Sequence, residues 1–130
     1  MTCRTPRNTA VICLGANSPD AARQLLRARA LLIGAGAVVS ATPAYPSEPE
    51  YCPADPLYTN QILVVETSLA LDALTALCKA HESRYRRPAE GTVAVDIDIV
   101  YWNDACLRPR DAASAYFHTG LAMFRVPLSK

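Results

Sequence analysis

The sequence lacks the features that mark membrane, secreted or nucleic-acid-binding proteins. No apolar run approaches the roughly 20 residues that a bilayer-spanning helix needs, and the N-terminal MTCRTPRN has no apolar stretch of signal-peptide length. Thirteen Lys and Arg against twelve Asp and Glu give a net charge of +1, which provides no electrostatic basis for binding DNA or RNA. We therefore expect neither a membrane nor a nucleic acid as partner, and the oligomeric state stays open.

Cysteine and histidine are arranged in ways that argue against a disulfide framework or a zinc site. The five cysteines form no CxxC pair, and their odd number leaves one over in any pairing. We therefore expect reduced thiols and a cytoplasmic location, with Cys13 and Cys78 as small core residues. The two histidines, His81 and His118, are too isolated for a histidine metal cluster, and the position of His81 on an apolar helical stripe favours a structural role.

The length of 130 residues, 51% of them hydrophobic, suits a single domain over residues 1–130 that buries roughly two thirds of its unfolded surface. An apolar segment ending on Gly15 predicts the first strand, and Ser18-Pro19-Asp20 predicts a helix start with Ser18 as N-cap. Glycines at 34 and 36 stop that helix. The predicted elements are a strand over 10–15, a helix from 18 to about 34, a strand over 37–41, a proline-rich loop over 43–56, a strand over 58–69, a helix over 71–85 and a strand over 93–102.

This β-α-β-β-α-β order predicts a ferredoxin-like α+β fold, with an antiparallel sheet and helices on one face. The fold by itself does not decide the function, because it hosts many. The sequence has no GxxxxGK[ST] motif and no GxGxxG after a strand, so the common nucleotide-binding fingerprints are absent. The predicted strands also lack the aromatic residues with which an RNA-recognition module of this topology stacks on bases.

The segment VAVDIDIVYW (93–102) places two aspartates inside an otherwise apolar run. In a strand, Asp96 and Asp98 share one face while Ile97 and Ile99 share the other, and the two aspartate Cα atoms lie roughly 6.6 Å apart. Two unit charges about 7 Å apart repel by about 2.4 kcal/mol at an effective dielectric constant of 20. A divalent cation or a cluster of arginines offsets this repulsion in a covered site, and solvent offsets it at an exposed sheet edge.

Charged residues just upstream supply the other components of a metal and phosphate site. Glu82 flanks the apolar stripe of the second helix, and Arg84, Arg86 and Arg87 follow it. Carboxylates beside arginines are the groups that hold Mg²⁺ and polyphosphate together. A solvated helix end, where cations complement the helix dipole, explains the arginines equally well.

Four segments in combination resemble a known family: LGANS (14–18), PAYPSEP (43–49), YTNQILVVETSL (58–69) and VDIDIVYW (95–102). In order and spacing they are similar to the 6-hydroxymethyl-7,8-dihydropterin pyrophosphokinases of folate biosynthesis, over about residues 10 to 110. The resemblance implies a ferredoxin-like core. It also implies transfer of the β,γ-pyrophosphoryl group of ATP, the co-substrate, to the hydroxymethyl group of the pterin, with release of AMP.

The resemblance also implies roles for individual residues. Asp96 and Asp98 hold two Mg²⁺ ions between the ATP phosphates and the attacking hydroxyl, and Arg87 matches a catalytic loop arginine. The implied pterin-binding residues are Asn17, Ser47, Glu48, Pro49, Glu50, Tyr58, Asn60 and Phe124. The implied nucleotide-binding residues are Glu82, Arg84, Arg110 and Tyr116. Taken alone, the Tyr58-Thr59-Asn60 segment is also typical of an ordinary strand start.

The sequence departs from the family pattern on the nucleotide side. The loop before the aspartates is shortened to PAEGTVAV (88–95), where Val93 or Ala94 replaces an arginine. Further along, Ala115 and Leu121 stand where the family has His and Arg. The pterin and metal sites are therefore better supported than the nucleotide clamp.

Three hypotheses follow. The first is an active pyrophosphokinase, in which catalysis is mostly positioning and electrostatic stabilisation of the transferring group. The second is a catalytically weak paralogue that binds a pterin or a nucleotide without efficient transfer, as the missing His and Arg suggest. The third, a purely structural ferredoxin-like module, is disfavoured by the aligned pocket residues. The retained aspartate pair favours the enzyme.

Overall fold

The computed structural model describes residues 7–49, 56–85 and 92–124. No helix in these three ranges is both long and apolar enough to cross a membrane. The elements, in chain order, are β1 (Asn8–Ala16), α1 (Ala21–Ala35), β2 (Ala37–Ala41), β3 (Tyr45–Ser47), β4 (Tyr58–Thr67), α2 (Leu71–Arg84), β5 (Asp96–Trp102), β6 (Ala105–Cys106), α3 (Pro109–Ala112) and α4 (Ala115–Leu121).

The strands form one antiparallel sheet in the order β2-β4-β1-β5-β6, with β3 paired to the free part of β4. The strands β1, β2, β4 and β5 match the four predicted strands, and this confirms the α+β, ferredoxin-like fold. The central position of β1 matters for the site. Its Gly15 pairs with Asn60 of β4 on one side and with Asp96 of β5 on the other, so the three residues form one row across the sheet.

The two long helices cover one face of the sheet, as predicted. Leu25 and Leu32 of α1 and Leu74 of α2 are buried there in one apolar cluster with Ile97 and Ile99 of β5. Fully burying a leucine or isoleucine side chain contributes about 1.5–3 kcal/mol, so this layer supplies most of the driving force for folding. The apolar half of the alternating β5 pattern therefore faces the main core, and the aspartates face the opposite side.

The opposite face is partly covered by the short helices α3 and α4, which were not predicted. Phe117 of α4 packs there on Cys13, Ile62 and Val100. A bulge between Val11/Ile12 and β5 leaves one extra residue in β5, which bends a strand and increases its twist. This second apolar cluster lies next to the aspartates on the same face of β5.

Tyr45 of β3 holds α4 in place. Its buried hydroxyl donates a hydrogen bond of 2.7 Å to the backbone carbonyl of Tyr116. A Cβ atom at Gly120 would lie 2.3 Å from that hydroxyl and 2.4 Å from Ile62 Cδ1, so α4 approaches the sheet at a distance that only glycine permits. The helix and the β3–β4 pair are thus fixed relative to each other.

Several predicted boundaries were wrong. The strand predicted over 93–102 begins only at Asp96, and the strand predicted over 58–69 ends at Thr67. The N-cap of α1 is Asp20 rather than Ser18, because residues 18–20 form a turn in which the Ser18 hydroxyl donates 2.7 Å to the Asp20 carboxylate. The proline-rich loop predicted over 43–56 contains the short strand β3, and its residues 50–55 lie outside the described ranges. The predicted helix stop is confirmed, since a Cβ at Gly36 would lie 2.2 Å from the backbone oxygen of Glu66.

Candidate active site

A cavity of about 220 Å³ opens on the sheet face that carries the aspartates. It lies over the ends of β1, β4 and β5, beside α3 and the start of α4. Its lining residues are Cys13, Leu14, Gly15, Ser47, Glu48, Tyr58, Asn60, Asp96, Asp98, Arg108, Asp111 and Tyr116. Seven of the predicted site residues, from four segments distant in sequence, therefore meet in one place.

The floor of the cavity follows from the register of the central strand. Gly15 lies between Asn60 and Asp96 in the sheet, and a Cβ at this position would be 3.3 Å from Asn60 Oδ1 and 3.7 Å from Tyr58 Cδ2. A side chain at Gly15 would occupy the space between the Asn60 and Asp96 walls. The glycine of the LGANS segment therefore keeps the floor open.

The β4 wall of the cavity is built around the buried amide of Asn60. Its Nδ2 donates to Ser47 Oγ at 2.7 Å and to the Tyr45 backbone oxygen at 3.4 Å, which ties β3 to β4. Tyr58 is half-buried, and Glu48 is exposed at the cavity rim. The predicted Pro49 follows directly but does not line the cavity.

The β5 wall carries the two aspartates in an unfavourable electrostatic setting. Burial, the charge of Asp98 and the charge of Glu82 raise the pKa of Asp96 to about 6, although its side chain still reaches solvent through the cleft. Burial also raises the pKa of Asp98, and the nearby Arg108 guanidinium partly offsets this effect. A cation placed between the two carboxylates would relieve both burial cost and repulsion.

Arg108 is a site residue that the sequence reasoning missed. Its Nη2 lies 3.7 Å from Asp98 Oδ1, and its Nε donates to Asp111 Oδ2. The predicted Arg110, two positions later, is exposed and lies outside the cavity lining. The R-P-R-D sequence indicates a helix start at the proline, and the structure has Arg108 as the N-cap of α3, but only the contact with Asp98 of β5 distinguishes Arg108 from Arg110.

Two predicted residues act on the backbone that presents the aspartates. The Glu82 carboxylate accepts a 2.7 Å hydrogen bond from the backbone N–H of Ile97. Asn17 is buried, and its side-chain oxygen accepts a hydrogen bond from the backbone N–H of Val93. The backbone N–H of Asn17 donates to the Val93 carbonyl at 3.0 Å. Neither residue lines the cavity. Asn17 fixes the chain that leads into β5, and Glu82 fixes the start of β5 itself.

The remaining predicted residues are not brought into the cavity. Arg84 is exposed at the end of α2, with its guanidinium 5.6 Å from the Tyr85 ring. Phe124 is half-buried against the Phe117 cluster. Ala115 is exposed at the start of α4, and Leu121 packs against the same cluster. Glu50 and Arg87, together with Arg86, lie outside the described residues.

The donor set fits magnesium better than a structural metal. Within 7–49, 56–85 and 92–124, no three His, Cys, Asp or Glu side chains are grouped so that they could hold a metal ion. Mg²⁺ is commonly bound by one or two carboxylates together with water and substrate phosphates. Asp96 and Asp98 meet that requirement, and their raised pKa values reflect a site that gains from a bound cation.

Comparison with known families agrees with this geometry. The family model described as 7,8-dihydro-6-hydroxymethylpterin-pyrophosphokinase (HPPK) matches residues 11–128, which extends past the segment resemblance into α3 and α4. A search of curated proteins gives no match. The match spans β1, β4, β5 and both short helices, and therefore every element that lines the cavity. The chain belongs to the 7,8-dihydro-6-hydroxymethylpterin-pyrophosphokinase family.

Proposed function

We propose that the chain is an active pyrophosphokinase that transfers pyrophosphate from ATP to 6-hydroxymethyl-7,8-dihydropterin and releases AMP. The family consists of pyrophosphokinases of folate biosynthesis that use ATP and Mg²⁺. One observation carries the extension to this chain. Asn60 and Asp96, which represent the pterin side and the metal side, are the two neighbours of Gly15 in the sheet.

The reaction needs the pterin side at Asn60 and the metal side at Asp96 at the same time. The hydroxymethyl oxygen of the pterin forms a bond to the β-phosphorus of ATP, the bond from that phosphorus to the oxygen shared with the α-phosphorus breaks, and the hydroxyl proton is released. AMP is the leaving group, and the pterin diphosphate is the product. Because little covalent chemistry is left to the protein, positioning and charge stabilisation dominate the catalysis.

The pterin is proposed to lie against the β4 wall. Tyr58 provides an aromatic surface for stacking, which contributes about 0.5–1.5 kcal/mol beyond area burial. Asn60 and Ser47 provide polar atoms at the inner end, and Glu48 provides a carboxylate at the rim. Pro49 and Glu50 are proposed to extend this side, and Asn17 supports it through the β5 entry.

Asp96 and Asp98 are proposed to hold two Mg²⁺ ions. Bound there, the metal ions would neutralise phosphate charge and orient the reacting oxygens. The lining residues themselves include four carboxylates and one guanidinium, a balance that repels ATP. The carboxylates therefore need divalent cations before a polyphosphate can enter, and Arg108 is the cation of the lining that can contact it.

The nucleotide side is proposed to include Tyr116, with Arg84 and Arg110 as further nucleotide-binding residues and Arg87 as a catalytic arginine. Glu82 serves it by fixing the backbone at Ile97. The cysteines of the described ranges, Cys13, Cys78 and Cys106, are free thiols, which supports the proposed cytoplasmic location.

A second candidate is a protein that binds the pterin but transfers pyrophosphate poorly. The observation that favours it is the engagement of Arg108 by two carboxylates, together with Ala115 and Leu121 at the positions of the family's His and Arg. Each lost hydrogen bond to a charged group costs about 1.5–3 kcal/mol. Such a protein would retain pterin affinity and show weak ATP binding.

Phosphorus NMR of the complete reaction tests the proposal. The protein is incubated with MgATP and 6-hydroxymethyl-7,8-dihydropterin, and the spectra are followed for a new diphosphate ester and for AMP. We expect both in equal amounts, and neither with Asp98→Ala. Formation of ADP with a monophosphorylated pterin, or no product despite pterin binding, would contradict the proposal, and the latter would favour the binding protein.

A further inference from the structure

Arg108 contacts two carboxylates at different distances. Its Nε bonds directly to Asp111, and its Nη2 reaches Asp98 only at 3.7 Å. The Asp111 side chain is 18% exposed and that of Asp98 is 27% exposed. The bond to Asp111 is therefore the tighter and better shielded one, while the contact with Asp98 is the one that a competing cation can replace.

The helix α3 holds the backbone around Asp111, the tighter of the two partners of Arg108. The Ala112 N–H donates to the Arg108 carbonyl at 2.9 Å, and Ser114 bonds to the Asp111 carbonyl through its N–H at 3.0 Å and its hydroxyl at 2.6 Å. The backbone of Asp111 is consequently held within the α3 turn, whereas the Arg108 side chain is 47% exposed.

We propose that Arg108 is an internal cation that occupies Asp98 in the metal-free protein, leaves it when a divalent cation binds there, and then contacts the substrate phosphates while Asp111 retains it. This inference rests on the proposed function for the identity of the phosphates. It makes Arg108 a substrate-binding residue and Asp111 its positioning residue. It also predicts that loss of Arg108 has opposite effects on two ligands.

For Mg²⁺ alone, Arg108 is a competitor. Removing it takes away an ion pair with Asp98 and a positive charge beside the metal, so the affinity for Mg²⁺ should rise by about threefold to tenfold. For a nucleotide in the presence of saturating Mg²⁺, Arg108 is a ligand. Removing it should weaken binding by about tenfold or more, as for a lost hydrogen bond to a charged group.

Calorimetry of three proteins tests both effects. Wild type, Arg108→Met and the control Arg23→Met, at an exposed arginine of α1 outside the cavity lining, are titrated with Mg²⁺ alone, and then with α,β-methylene-ATP at saturating Mg²⁺. We expect the opposite changes only in Arg108→Met, with both affinities unchanged in Arg23→Met. An Mg²⁺ affinity in Arg108→Met that equals or falls below that of wild type would overturn the competition, as would the absence of Mg²⁺ binding in all three.

Asp111→Asn separates positioning from simple charge. Removing a negative charge beside an anionic ligand should strengthen binding of α,β-methylene-ATP by Coulomb's law. If Asp111 acts through Arg108, the substitution instead weakens this binding by at least about threefold, and does not weaken it in the Arg108→Met background. Tighter binding, or equal weakening in both backgrounds, would overturn the positioning role.

These outcomes are independent of the proposed transfer reaction. A wild type that forms pterin diphosphate but shows no competition at Asp98 leaves the function standing and overturns the inference. A wild type that forms no product, with opposite changes in Arg108→Met, upholds the exchange of cations and refutes the transfer.

Discussion

The carboxylate of Glu82 accepts a 2.7 Å hydrogen bond from the backbone N–H of Ile97, the residue between Asp96 and Asp98. The last turn of α2 therefore fixes the start of β5 between the two aspartates. The same carboxylate raises the pKa of Asp96 through its charge. The family resemblance assigned Glu82 to nucleotide binding. In the structure it instead holds the β5 backbone and influences the protonation of Asp96.

Substitutions at Glu82 should separate these two effects. Glu82→Ala leaves the Ile97 N–H without its partner and should lower the free energy of unfolding by about 1–3 kcal/mol. Glu82→Gln retains an acceptor oxygen, so most of that stability should remain while the pKa of Asp96 falls. Urea unfolding of both variants checks this, with Ser83→Ala as the neighbouring exposed control. Equal losses in the Ala and Gln variants would show that charge, rather than the hydrogen bond, is the stabilising contribution.

Asp96 should make stability depend on pH. Its folded-state pKa of about 6 exceeds its ordinary value of 3.8, so the folded protein holds this proton more tightly than the unfolded chain. The resulting stabilisation is present at low pH and is lost as pH rises from about 4 through 6. In metal-free buffer, Asp96→Asn should therefore be more stable than wild type at pH 7.5, with no advantage near pH 4.

The size of this effect is limited by exposure. Because the Asp96 side chain reaches solvent, we expect a gain of at most about 1 kcal/mol at pH 7.5. Thermal melts with a chelator present at pH 4, 5, 6 and 7.5 measure it, and Asp104→Asn in the β5–β6 turn is the exposed control. A constant difference between Asp96→Asn and wild type across this range would contradict the account.

Asn60 should contribute to pterin binding and to the β3–β4 connection together. Asn60→Ala removes a pocket amide and should weaken pterin binding by about tenfold or more, which is the loss of one polar partner. It also removes the side-chain donor to Ser47 Oγ and to the Tyr45 carbonyl. Calorimetry with the pterin measures the first effect. Gln61→Ala, which removes the hydrogen bond from β4 to the Thr42 carbonyl and lies outside the cavity lining, controls for the second. Unchanged pterin affinity in Asn60→Ala would refute the assignment of this pocket.

The hydrogen bond between Tyr45 and Tyr116 should be needed for an ordered cavity. Tyr45→Phe removes the donor to a carbonyl in the α4 turn and should destabilise the fold by about 1–2 kcal/mol. It should also reduce turnover, because Tyr116, Arg108 and Asp111 lie on the segment that this bond secures. Tyr101→Phe is the matched control, since its hydroxyl has no hydrogen-bond partner within the described residues and its ring stacks on Phe117 with 6.2 Å between centroids. Similar losses in both variants would remove the case for this bond.

The parts of the fold that the sequence predicted are those with strong local patterns. The stripe through Leu74 and Cys78 and the alternation in β5 each repeat over several residues, and burial follows the period. By contrast, β3 has three residues with Pro46 at its centre, and it is a strand only because β4 lies beside it. The helix α4 buries just Phe117 and Gly120, too few positions to show a helical period.

The candidate site was predictable where chemistry is concentrated in a motif. Asp96 and Asp98 stand out because charge interrupts an apolar run. Arg108 does not stand out in the sequence. Its role depends on the turn into α3, which brings the Arg108 side chain back to Asp98 of β5. The sequence alone does not rank Arg108 above Arg110, because both lie in one polar segment. Only the path of the folded backbone directs Arg108, and not Arg110, toward the aspartates.

Steady-state AMP formation from MgATP, with and without 6-hydroxymethyl-7,8-dihydropterin, is the decisive assay for a pyrophosphokinase active site in this cavity. We expect AMP release that requires the pterin, falls by at least about a thousandfold in Asp98→Ala, and is retained in Asp104→Asn. AMP release that is absent under saturating ATP and pterin, or that is equal in wild type and Asp98→Ala, would contradict the assignment of this cavity as a pyrophosphokinase active site.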